Sequence, residues 1–209
     1  FGGFLELFMI ENRTYRSAHA CGEGDFGQRY FPLGCTKYNS AEQTLLGKAQ
    51  LNWLVDGLTS SRATWKLMGN QTFFSRLAIT FLGAQIAPLN IDAWDGFVAE
   101  RRALTGALRE ARVKDFVVVT GDLHTTMSSH IKHDFGNSNP LALDNFLGVE
   151  FMTPAVTSAN RGDMLGGQMD AQQRQILLQG LAPAAVRLNN PHVQCFDSTR
   201  YGYSTLELT

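Results

Sequence analysis

Apolar residues along the chain fall into two spacings, and these predict most of its elements. Residues 4–10, "FLELFMI", form a nearly continuous apolar run of strand length. Leu51, Leu54, Val55 and Leu58 recur at helical spacing, which predicts an amphipathic helix. "ATWKLMGNQ" reads as a strand entering a turn, and "GFVAERRALTGALREARV" as a helix with Leu104, Leu108 and Ala111 on one stripe. Phe116 to Thr120 holds three consecutive valines, the pattern of a strand buried on both faces. Strand, helix and strand joined by short links predict a crossover unit in a mainly parallel or mixed sheet. Beyond residue 125, short β-like runs appear at 126–132, 147–152, 193–197 and 202–208, with a helical stretch near 170–180. "DSTRYG", between the last two runs, reads as a hairpin turn. The segment 72–91 is apolar but interrupted and fits neither period.

Composition narrows the function classes. With 209 residues and 44% hydrophobic content the chain can build one packed domain, and no internal boundary is visible. The net charge of −1, with no run of Lys or Arg, predicts no nucleic-acid-binding surface. No apolar run reaches the length of a membrane span. The chain opens at Phe1 inside a strand-like run, as expected of a processed chain or of part of a longer one. Cys21 and Cys35 flank a glycine-rich loop. A disulfide between them would imply an oxidising compartment; the other reading is two unrelated small residues.

The candidate chemistry lies where the valine strand ends, in Gly121-Asp122-Leu123-His124. Ligands of open α/β sheets bind beyond the carboxyl ends of strands. A glycine permits a sharp turn there, and residues at i and i+2 can face one side. Asp122 and His124 then offer a hard oxygen and a borderline nitrogen to a metal ion. The alternative is an aspartate capping the turn and a histidine satisfied by a carbonyl. His19, His130, His133 and His192 stand singly, and a lone histidine is more often structural.

Six stretches in order, "LFMIENRTYRS", "QLNWL…SSRATWKLMGNQTFFS", "WDGFVAERRALTGAL", "FVVVTGDLHTT", "EFMTPAVTS" and "NPHVQCFDSTRYGY", resemble the PhoD-type alkaline phosphatases of the calcineurin-like metallophosphoesterases. The resemblance covers nearly the whole chain but only the back half of such an enzyme. It implies an α/β fold, a metallophosphoesterase-type β-sandwich flanked by helices. It also implies an exported, periplasmic or secreted hydrolase of phosphate mono- or diesters that uses iron and calcium. Asp122 and His124 are the implied metal ligands; His124, if not a ligand, would protonate the leaving alkoxide. Asn70, Asp95 and His192 are the implied substrate or cleft residues, with Trp94 and Arg101 in the cleft wall. The family's earlier metal motifs do not precede "LFMIENR" here. Residues 1–209 therefore read as a single domain or as the C-terminal portion of one, completed by a separate N-terminal fragment. A catalytically silent binding or scaffolding module on the same fold is the alternative.

Overall fold

The computed structural model describes residues 1–81, 84–137, 139 and 141–207, leaving aside the side chain of Arg161. Among the described residues eight strands are formed, in chain order β1 (Leu5–Met9), β2 (Trp65–Gly69), β3 (Ala78–Phe81), β4 (Ala84–Pro88), β5 (Phe116–Thr120), β6 (Thr126–Lys132), β7 (Phe146–Met152) and β8 (Val193–Asp197). Six of them make one sheet in the order β1-β2-β5-β7-β6-β8, and β3 and β4 pair separately. β1, β2, β5 and β7 run parallel, while β6 lies antiparallel between β7 and β8. The expected mixed α/β class is what forms. Among the described residues this chain supplies one broad sheet and a small hairpin.

The crossovers α1 (Gly47–Ser60) and α2 (Val98–Glu110) lie on one face of the sheet. Leu54 and Leu58 from α1 and Leu104 and Leu108 from α2 join Phe8, Met68 and Val118 in a single buried cluster. Each such side chain contributes about 1.5–3 kcal/mol when taken fully out of water. Ala111, placed on the α2 stripe by periodicity, follows the last helical turn and is exposed. Gly148 lets β7 lie against β5, because a Cβ there would stand 2.1 Å from the Phe116 carbonyl oxygen.

The opposite face is apolar and largely uncovered. Strand register places Leu7, Met9, Leu67, Val119 and Phe151 on it. Leu7 remains 40% exposed, Met9 66% and Phe151 39%. Among the described residues β1 also has no strand partner on its outer side.

Two expectations need correction. The run at 202–208 is not a strand: residues 202–207 are irregular, residue 208 lies outside the described residues, and Gly202 is tied by its amide to the Ala155 carbonyl. β8 therefore has no hairpin partner after it and pairs with β6 instead. The helical stretch near 170–180 is longer than its pattern suggests. It comprises α4 (Ala171–Arg174), a π-helical segment (Gln175–Leu181) and α5 (Ala182–Asn189). Pro183 falls at the junction where the π-helical segment passes into α5. A shorter helix, α3 (Arg161–Gly166), precedes it.

Candidate functional site

Four parallel strands end on one edge of the sheet, and the connections leaving them gather the charged groups. Past β1 come Glu11, Asn12 and Arg13; past β2, Asn70; past β5, Gly121 to His124. The parallel ladder continues just beyond the strands, since Ile10 donates to the Gly69 carbonyl, Asn70 to Val119 and Thr153 to Thr120. These turns therefore start from a fixed backbone.

The turn after β5 differs from expectation in one respect. Gly121 adopts ordinary backbone angles, and Asp122 and His124 take the left-handed conformation, with φ of 71° and 54°. Aspartate and histidine tolerate that region better than most residues, and left-handed non-glycine positions concentrate at functional sites. The Asp122 side chain is open to solvent and lies 3.2 Å from Arg13 Nη2. His124 Nδ1 donates to the Ala159 carbonyl at 2.8 Å. That bond fixes the tautomer and leaves Nε2 as the nitrogen able to accept a proton or bind a metal.

Arg13 belongs to a cluster that single-residue reading missed. Its Nη1 lies 2.7 Å from Asp92, a largely buried carboxylate that also receives Arg16 and His19 Nε2. His19 in turn meets Glu23 through Nδ1 at 2.6 Å. Burial alone would raise the Asp92 carboxyl. The His19, Arg13 and Arg16 donors outweigh it and hold the group far below the usual carboxylate range. Asp92 lies more than 70 positions from Arg13, Arg16 and His19, so no local motif announces the cluster. The Cys21–Cys35 disulfide closes the loop that begins two residues after His19.

Asn70 sits at this edge but is fully engaged. Its Oδ1 accepts from Asn12 Nδ2 at 3.1 Å and from Trp94 Nε1 at 3.3 Å, and its Nδ2 donates to the Thr72 carbonyl. Its side-chain bonds tie together the turns beneath this edge. Asn12 and Asn70 each open an Asn-x-Thr pattern of the kind that can be glycosylated, and both side chains are buried.

Asp95 and His192, expected as cleft residues, belong elsewhere. Asp95 is buried, pairs with Arg101 at 2.7 Å and accepts the Leu77 amide at 2.8 Å. Burial pushes its carboxyl up, against the pull of Arg101. Asp95 and Arg101 do line a cavity of about 380 Å³, shared with Arg76, His133 and Phe135, but none of its walls comes from the Asp122–His124 turn. His192 precedes β8. Because β8 is oriented like β5 and β7, His192 lies at the far edge of the sheet. Its Nε2 donates to the Arg76 carbonyl, its ring stands against Phe135, and burial pushes its imidazole down to about 3. Both residues stabilise the interior.

Asp122 and His124 suit one side of a metal site: an open carboxylate next to an imidazole whose second nitrogen is anchored. Among the described residues no group of three or more His, Cys, Asp or Glu is placed to hold an ion. Further donors would have to come from outside this set. Among the described residues no helix is long and apolar enough to cross a membrane.

Comparison with known proteins relates the chain to a family and a fold. The family model for PhoD-like phosphatase matches residues 1–209. Alkaline phosphatase D of Bacillus subtilis (strain 168) is 28% identical over 210 residues, covering 100% of this chain and 31% of that protein. A solved structure described as the structure of PhoD superposes with a TM-score of 0.73 at 25% identity, over 96% of this chain and 33% of the other. The chain thus spans about a third of the length of the relatives it matches.

Proposed function

From the premise that the chain belongs to the PhoD-like phosphatase family, we propose that it forms the C-terminal part of a metal-dependent phosphoric ester hydrolase. Its substrates are phosphate mono- or diesters. The observation that carries this reading is the Asp122–His124 turn, open at the carboxyl edge of the sheet with His124 Nδ1 tied to Ala159. Asp122 and His124 Nε2 hold the ion. When bound, the metal supplies charge neutralisation at phosphate oxygens and a water of lowered pKa. This chain's residues then do the positioning. The Ala159 carbonyl orients His124, the carboxylate of Asp122 offers a hard ligand, and the sheet beneath fixes both against drift. An iron and calcium pair suits the mixed carboxylate and imidazole donors.

The uncovered apolar face and the unpaired β1 edge support a domain completed by a further segment. A separate N-terminal fragment, or a preceding part of the same protein, would lay a second sheet on that face and add metal ligands. The Cys21–Cys35 bridge supports an exported protein, in the periplasm or outside the cell.

The test uses the intact protein that contains this chain. Asp122→Ala and His124→Ala should each cut phosphoesterase turnover by at least about 100-fold, since even partners one shell further from a metal cost 10–100-fold. Bound metal should fall in parallel while the thermal transition stays in place. Unchanged turnover and metal content would overturn the roles given to Asp122 and His124, whereas an intact parent protein that hydrolyses no phosphate ester would favour the silent binding module, the second reading because among the described residues no group of three or more ligand-type side chains is placed together.

A further inference from the structure

Arg13 occupies an unusual electrostatic position at the carboxyl edge. Its inner edge is fixed: Nη1 is held at 2.7 Å by Asp92, which Arg16 and His19 also grip. Two guanidinium groups share one buried carboxylate, so Asp92 does not use up the positive charge around it. The outer Nη2 reaches Asp122 Oδ1 only at 3.2 Å, longer than the 2.7–2.9 Å typical of a charge-assisted bond. Its side chain is 39% exposed, so a ligand can reach it.

A cation bound by Asp122 would neutralise the carboxylate that now faces Arg13. It would also leave two positive centres side by side at a range where water screens them incompletely. A bound anion between them removes that repulsion and receives the freed Nη2 donor. Guanidinium suits this because its planar fork matches the oxygens of a phosphate.

We propose that Arg13 is the residue of this chain that seats the substrate's phosphate group, donating from its outer edge to a non-bridging oxygen beside Asp122 and His124. Asp92 is a positioning residue that holds the guanidinium in place, with Arg16 and His19 fixing Asp92. The inference rests on the hydrolase reading and adds a phosphate contact to it.

The experiment measures inorganic phosphate binding by calorimetry, alongside KM and kcat for an aryl phosphate, in the intact metal-loaded protein. Arg13→Ala should weaken phosphate binding and raise KM by about tenfold or more, as expected for loss of a hydrogen bond to a charged group. Metal content should be unchanged. Arg13→Lys, which keeps the charge but loses the fork, should recover part of the affinity, and it serves as the probe if the alanine variant does not fold. Asp92→Asn should move KM in the same direction by less. Phosphate affinity within twofold of the parent in folded Arg13→Ala overturns the proposal, as does loss of metal in that variant, which would make Arg13 a support for Asp122 alone. The hydrolase reading fails separately: a protein that binds phosphate through Arg13 yet hydrolyses no ester keeps the anion contact and loses the reaction.

Discussion

Two regions of this molecule are rich in charge, and they differ in what the charges face. The carboxyl edge carries Arg13, Arg16, His19, Asp92, Asp122 and His124, and its outermost groups remain in water. The interior layer carries Glu150, Asp95, Arg101 and His192, and there every carboxylate is closed off. Glu150 is fully buried and accepts the Phe74 amide at 2.7 Å and the Ser75 amide at 2.8 Å, with Thr120 and Ser129 hydroxyls at 3.3 Å. Asp95 takes the Leu77 amide, and Arg101 donates to the Phe74 carbonyl. These side chains do the work a neighbouring strand would do, satisfying the irregular backbone from residue 73 to 77. Charge density alone therefore does not mark a site. Unspent hydrogen-bonding capacity in contact with water does.

The sharpest way to break the comparison is to remove one carboxylate from each region. Asp95→Ala strands Arg101 in a dry interior and should cost about 3–5 kcal/mol, whereas Asp122→Ala should stay within about 0.5 kcal/mol. Denaturant melts of the two variants check this, and equal losses would erase the distinction.

Acid should also separate the regions. His192 titrates at its ordinary 6.5 in the unfolded chain and at about 3 in the folded protein. Between those values the unfolded chain binds the extra proton, so stability falls as pH drops through the window, by about 1.4 kcal/mol per unit at most. Its contribution is fully present above 6.5. His192→Gln keeps a donor for the Arg76 carbonyl without a titrating ring, and its stability should change less steeply from pH 6.5 to 3 than that of the parent.

Reduction probes the edge alone. Replacing Cys21 and Cys35 by Ser frees a loop of 14 residues' separation and should cost about 3 kcal/mol by the chain-entropy estimate. Calorimetry of both forms tests it. The smallest effect expected is at Asn160, whose side chain caps α3 in a reciprocal pair with Asp163 and adjoins the carbonyl that orients His124. Asn160→Ala should cost about 1 kcal/mol.

The elements legible in the sequence were those built from one apolar period. The valine strand, the α1 stripe and the short strands at 126–132, 147–152 and 193–197 all lie where their patterns predict. β3 and β4 were not legible, because they pair only with each other and depend on Asn190 bonding both the amide and the carbonyl of Ala78 from 112 positions away. Residues 202–207 of the last run form no strand ladder among the described residues, and without a ladder a strand-like pattern has no structural force. Asp122 and His124, the residues proposed for the site, were visible because a single strand delivers both. Whether Asp95 and His192 face a ligand was not, since that depends on burial and on which sheet edge each reaches. Arg13 and Asp92 come together only through topology, and nothing near either residue signals it.

The uncovered side of the sheet has a practical corollary. Leu7, Met9 and Phe151 stand exposed on the apolar side of the sheet, a surface that water wets only at a cost. Such a surface should take up an environment-sensitive fluorophore, adsorb mild detergent and drive turbidity at high concentration. A covering segment would quench all three behaviours together, which makes dye emission a direct gauge of whether that side is dressed.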